Sequence, residues 1–130
     1  MVTSNLSSHM LYVLGSRIEL QQVLMNLILN SCDAMMDVGP QDRRLVIQTL
    51  PGEPDSVVVA VKDFGPGLDE KNLERVFESF YTTKAEGLGM GLSISKSIIL
   101  AHGGHIWAMN NPEGGATFSF TVEGHGIFPL

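Results

Sequence analysis

The chain has a single cysteine, Cys32, among its 130 residues. No internal disulfide is therefore possible, and a reducing, cytoplasmic setting fits. Basic residues are scarce as well: 8 Lys and Arg stand against 14 Asp and Glu, a net charge of -6. Nucleic-acid binding needs clustered cations to neutralise phosphates, so that partner is excluded. A nucleotide is not excluded, because a divalent cation and backbone amides can carry a triphosphate. No apolar run approaches the roughly 20 residues of a membrane helix. No membrane contact is expected of this chain, although a longer parent with an anchor upstream stays open. No secretory leader is expected either, since Met1 to Met10 is polar and lacks an apolar centre. Residues 1–10 are expected to be disordered or an artificial extension, with one domain over residues 11–124 and a short tail over 125–130. There is no internal repeat and no low-complexity linker.

What is present reads as one globular domain, with 44% hydrophobic and 17% charged residues. Leu11 to Leu14 suits a short strand. The clearest helix runs from Ser16 to about Asp37, with Ser16 and Glu19 at capping-box spacing and Gly39-Pro40 beyond its end. Arg43 to Leu50 and Ser56 to Lys62 read as strands across a Pro- and Gly-bearing turn. A short helix is predicted around Glu70 to Glu78, a glycine-bearing loop over Tyr81 to Gly91, and another helix over Leu92 to His102. Gly104 to Met109 and Ala116 to Val122 complete the strands. Because strands are not each followed by a helix, the fold class is α+β. We expect a two-layer α/β sandwich whose mixed, mostly antiparallel sheet is covered on one face by helices.

Three local patterns carry chemical interest. On the first helix, Leu20, Val23, Leu24, Leu27, Ile28, Ala34 and Met35 form an apolar face. Glu19, Gln22, Asn26, Asn30, Asp33 and Asp37 form a polar one. A solvated face explains such a stripe in general, but Asn is a mediocre helix former and occurs here at i and i+4. Two amide oxygens one turn apart can also serve a hard cation such as Mg²⁺ beside phosphate. Both readings stand at this level. Next, the β-branched run Val57 to Val61 leads into Asp63-Phe64-Gly65-Pro66-Gly67. This is either an ordinary turn, or a strand-end carboxylate placed to accept from an amino group, with glycines that let backbone approach a planar base. Last, Gly87-Leu88-Gly89-Met90-Gly91-Leu92 opens a helix, where unpaired amides favour an anion. It is neither a Walker A string nor the dinucleotide fingerprint, so any phosphate site belongs to another fold.

In this order the patterns resemble one family. Asn26 to Ala34 is similar to the N box of the GHKL superfamily of gyrase, heat-shock chaperone, histidine kinase and mismatch-repair ATPases. Asp63 to Gly67 resembles its first glycine box, and Gly87 to Leu92 the second. Val76 to Lys84 resembles the F box of two-component sensor histidine kinases, and Gly114 to Phe118 the last glycine motif. The resemblance spans about Leu11 to Val122. It implies the Bergerat ATP-binding fold, with ATP and Mg as cofactors and a lid over about Phe80 to Met90. It further implies that Asn30 coordinates Mg²⁺ with Asn26 beside metal and phosphates. Asp63 would bind the adenine amino group, with Thr117 near it through ordered water, and Asp33 would sit by the ribose. Lys84 and the amides of Gly87, Gly89 and Gly91 would meet phosphate, and Gly65 and Gly67 would form the close turn.

The superfamily also contains ATP hydrolases. In the gyrase and chaperone branches a glutamate four residues before the metal-binding asparagine activates water. Here that position is Asn26, and an amide is no useful base near neutral pH. The reading is therefore a protein-histidine kinase catalytic domain that transfers the γ-phosphate to a histidine elsewhere. The family's phosphoacceptor motif is absent from this sequence, so the isolated chain is expected to bind nucleotide without phosphorylating itself, and to be a monomer. Its implied partners are the parent's histidine-containing dimerisation domain and a downstream response regulator. A non-catalytic nucleotide-binding module and an ATPase switch remain the alternatives. His102, His105, Phe77, Phe80, Cys32 and Trp107 read as structural.

Overall fold

The computed structural model describes residues 2–5, 11–13, 15–52, 55–78 and 91–126. In chain order these form β1 (Val2–Asn5), β2 (Leu11–Val13), α1 (Arg17–Ala34), β3 (Leu45–Gly52) and β4 (Ser56–Asp63), then α2 (Gly91–Ala101), β5 (Ile106–Asn110) and β6 (Ala116–Gly126). Single 3₁₀ turns occupy Pro40–Asp42, Glu70–Asn72 and Arg75–Phe77. β3, β4, β6 and β5 pair antiparallel in that order. β1 adds to β3 in parallel, and β2 pairs antiparallel with the end of β6. The sheet is thus mixed and mostly antiparallel, as the sequence implied.

Strand alternation decides which residues meet the helices. Val57, Val61, Ala116, Phe118, Phe120 and Val122 belong to one core cluster with Val23 and Leu27 of α1 and Ile98 and Ile99 of α2. Phe77 closes this core with its ring edge-on to Phe118, centroids 6.2 Å apart. The intervening residues Lys62, Trp107, Met109 and Thr117 share the other face by register. This is the α+β sandwich with helices on one side of the sheet.

Several boundaries move. α1 ends at Ala34 rather than near Asp37, since Met35 N–H turns back to the Cys32 carbonyl and tightens the last turn. The helix predicted over Glu70 to Glu78 is two separate 3₁₀ turns. The second buries the adjacent residues Val76 and Phe77 together. The first ten residues are not all outside the fold, because Val2–Asn5 pairs with Leu45 to Gln48. An open edge of β3 and the β-branched Val2 and Thr3 account for that strand. β6 likewise continues to Gly126, two residues into the predicted tail, where Leu11–Val13 supplies its partner. Among the described residues no helix is long and apolar enough to cross a membrane.

Candidate nucleotide site

β4 delivers Asp63 to the helix-facing side of the sheet, where only 1% of its surface is exposed. Its Oδ1 accepts from the Gly65 N–H at 3.0 Å and from the Ala116 N–H at 3.1 Å. The first of these bonds is the Asx turn that the Asp-x-Gly spacing favours. Burial pushes the Asp63 carboxyl above its ordinary range, and the two N–H groups and the nearby Ser31 hydroxyl draw it back only in part. Ser31 lies on the buried stripe of α1, one turn beyond Leu27. Its hydroxyl is close enough to favour the charged carboxylate, yet the two groups do not meet hydrogen-bond geometry. Asp63 Oδ2 and Ser31 Oγ are both buried without a partner among the described residues. Neighbouring unsatisfied oxygens of this kind mark the place of a missing donor.

Backbone packing behind Asp63 is close. Gly115 has φ +84°, and a Cβ there would run into the Asp63 carbonyl. Gly67, with φ +82°, turns the chain against Asn110. Asn110 then clamps the loop from both sides: its Oδ1 accepts from Leu68 N–H at 2.8 Å and its Nδ2 donates to Leu68 O at 2.7 Å. Asn111 Nδ2 donates to the Asp63 carbonyl at 3.3 Å. Gly65 itself packs over the last turn of α1, against the Ala34 carbonyl. The loop, the end of α1 and the start of β6 are thereby fixed around one carboxylate.

The polar stripe of α1 lies along the same helix. Asn26 Nδ2 donates to Gly91 O at 3.2 Å and to Ser95 Oγ at 3.2 Å, joining α1 to the first turn of α2. Asn30 is half-buried, and no hydrogen bond to it is found among the described residues. Asp33 is exposed, one residue before the end of α1. Gly91 is the first described residue of α2. Asn26, Asn30, Asp63, Gly65 and Gly91 are therefore brought together along α1 and the two glycine segments. Lys84, Gly87 and Gly89, with the lid over Phe80 to Met90, lie outside the described residues.

One expected site residue is corrected. Thr117 pairs with Lys62 and Met109 and alternates with Ala116 and Phe118, so it points to the face opposite Asp63. Its hydroxyl donates to Asn111 Oδ1 at 2.5 Å. The contact with Asp63 comes one residue earlier, from a main-chain N–H. Ser31, Asn110, Asn111 and Ser95 were not expected at the site. Only the paired asparagines before Gly114-Gly115 offered a sequence signal, as a strand-ending turn.

The site thus joins a buried acid, one oxygen of which has no partner among the described residues, to a helix that carries two asparagines, on a sheet covered on one side. The chain belongs to the family described as histidine kinase-, DNA gyrase B- and HSP90-like ATPases, whose model matches residues 15–125. Within it, the similar proteins are sensor kinases, and this chain is a histidine-kinase catalytic domain. The sensor protein FixL of Bradyrhizobium diazoefficiens is 47% identical over 110 residues, 85% of this chain and 21% of that protein. Sporulation kinase A of Bacillus subtilis is 40% identical over 111 residues, 85% of this chain and 18% of its own length. The chain thus spans about a fifth of these relatives. Among solved structures, the catalytic domain of histidine kinase ThkA matches with TM-score 0.79 at 32% identity, covering 94% of this chain and 77% of that one. A mycobacterial sensor histidine kinase, MprB, has the same fold, with TM-score 0.83 at 22% identity over 97% of this chain and 84% of that one.

Proposed function

We propose that this chain binds ATP with Mg and donates the γ-phosphate to a histidine on a separate dimerisation domain of a two-component kinase. The observation that carries the reading is the pair of buried oxygens without a partner among the described residues, Asp63 Oδ2 and Ser31 Oγ. An adenine amino group donates two N–H bonds, one for the carboxylate and one for a water or hydroxyl beside it, so the donor set fits. Asn30 and Asn26 would offer amide oxygens to Mg²⁺, with phosphate and water completing its shell. The bound nucleotide and metal supply the phosphoryl group and most of the charge neutralisation, and the protein's share is positioning. Asp63 holds the base, Gly65 and Gly67 keep the backbone close to it, and the first turn of α2 directs N–H groups at phosphate. Lys84, Gly87 and Gly89 would complete the phosphate contacts, and Asp33 the ribose side. With Asn26 where a hydrolase keeps its glutamate, water activation is poor and transfer to a histidine is favoured. The parent's histidine domain and a response regulator are the partners this implies; a solved structure of ThkA, 31% identical to this chain, is of its complex with a response regulator.

Calorimetric titration of ATP, with and without Mg²⁺, into wild type and Asp63→Asn tests the reading. We expect binding by wild type and a loss of about 1.5–3 kcal/mol in the variant, the scale of a buried hydrogen bond to a charged group. A folded wild-type chain that binds no ATP would overturn it.

A further inference from the structure

An asparagine presents two chemically opposite ends, and only its oxygen suits a cation or accepts from a donor. The contacts at the start of α2 decide which end of Asn26 faces where. Its Nδ2 lies 3.2 Å from Gly91 O and 3.2 Å from Ser95 Oγ. Ser95 Oγ in turn donates to the same Gly91 O at 2.9 Å, a bond back to the carbonyl four residues earlier. A carbonyl oxygen accepts and never donates, so the end of Asn26 that meets Gly91 must be NH₂. Ser95 has spent its one proton on Gly91, so towards Asn26 it presents a lone pair and again requires N–H. Both acceptors select the same amide orientation, with Oδ1 turned away from α2. Ser95 is 0% exposed, so no water is at hand to replace its hydroxyl.

We propose that Ser95 is a positioning residue for the metal and phosphate site. Through its lone pair it locks the Asn26 amide with the oxygen, not the NH₂, presented to Mg²⁺ and phosphate. The inference rests on the nucleotide reading above and adds to it a residue that touches neither metal nor nucleotide. Without the hydroxyl, Gly91 O alone holds the amide, and orientations that aim N–H at a cation become populated.

The test compares Ser95→Ala with the isosteric pair Ser95→Thr and Ser95→Val, in which packing changes are shared and only the hydroxyl differs. Two quantities are read: the side-chain amide NMR signal of Asn26 in the ligand-free chain, and ATP affinity with and without Mg²⁺. For Ser95→Ala and Ser95→Val we expect a shifted, faster-exchanging Asn26 amide and a threefold to tenfold smaller gain in ATP affinity from Mg²⁺. Affinity without Mg²⁺ should stay within twofold of wild type, and Ser95→Thr should restore both readouts. Equal losses with and without Mg²⁺, identical behaviour of the Thr and Val variants, or an Asn26 signal indifferent to Ser95→Ala would each overturn the proposal. Absence of ATP binding by wild type would instead overturn the nucleotide reading, and this role with it. In that case the amide signal would still report whether Ser95 holds Asn26.

Discussion

Asp63 is ionisable, buried and only half satisfied, and this has a consequence for pH. Its carboxyl titrates above the ordinary range, chiefly because burial disfavours the charge. Between the ordinary and the raised value, the folded chain holds a proton that the unfolded chain has released. The contribution of Asp63 to stability is therefore greatest in acid, falls as pH rises through that window, and is flat above it. Asp63→Asn removes the buried charge and keeps an acceptor for Gly65 and Ala116. Thermal melts of the ligand-free chain should give the variant a midpoint at or above wild type at pH 7, with the gap closing as pH falls towards 4 and below. A variant clearly less stable at pH 7 would mean that the carboxylate is needed to build the fold rather than to meet a ligand. At this scale the sequence was partly legible. The spacing of Asp63, Gly65 and Gly67 showed a turn, and only the family resemblance gave it a binding role, whereas Ser31 reads as filler on an apolar helix face. Thr117 was misplaced although the alternation Ala116-Thr117-Phe118-Ser119-Phe120 sets it on the polar face of its strand. The group that does meet Asp63, the Ala116 N–H, is a main-chain atom that no side-chain pattern reports.

Among the elements, α1 carries both site asparagines and is held by a narrow stripe of fully buried side chains, Val23, Leu27 and Ser31. Leu27→Ala should cost about 2–5 kcal/mol, the range for emptying a well-packed leucine site. Urea unfolding would measure it, and a loss below about 1 kcal/mol would mean that α1 is not anchored through this stripe. The periodicity behind this helix was readable, but its end was not. Residues Met35 to Asp37 continue a helical composition, and only the turn back to Cys32 stops them. Ile18, Met25, Leu29 and Met36 add exposure of 77%, 54%, 54% and 64% on the outer side, so apolarity alone does not mark the buried face. The 3₁₀ turns were out of reach for a simpler reason. Three residues are too few to show a period, and Glu70 to Phe77 has the composition of one longer helix.

For the whole molecule, the antiparallel sheet with helices on one face followed from strands not each paired with a helix. The long-range pairings did not follow. β1 joining β3, and β2 joining the end of β6, link residues far apart in sequence, with nothing local to announce them. Function at this scale depends on what the chain meets. With no phosphoacceptor motif in the sequence, incubation with γ-labelled ATP should leave the isolated chain unlabelled. Adding the parent's histidine-bearing helices in trans should give a labelled second polypeptide that loses its label in acid, as phosphohistidine does. Stable labelling of this chain alone would contradict the division of labour proposed here.

The start of α1 holds one further consequence. Ser16 N–H, which a capping box would give to Glu19, donates instead to His102 Nε2 at 3.0 Å, while His102 Nδ1–H donates to Ile98 O at 2.8 Å. Gly15 leaves room for the imidazole, since a Cβ there would strike the ring. The point where the chain enters α1 is thus tied to the far end of α2. Mechanically the two helices stand in parallel rather than in series. A displacement of Gly15 is therefore felt at the C-terminal end of α2, a stiff helix about 16 Å long, as well as at the start of α1.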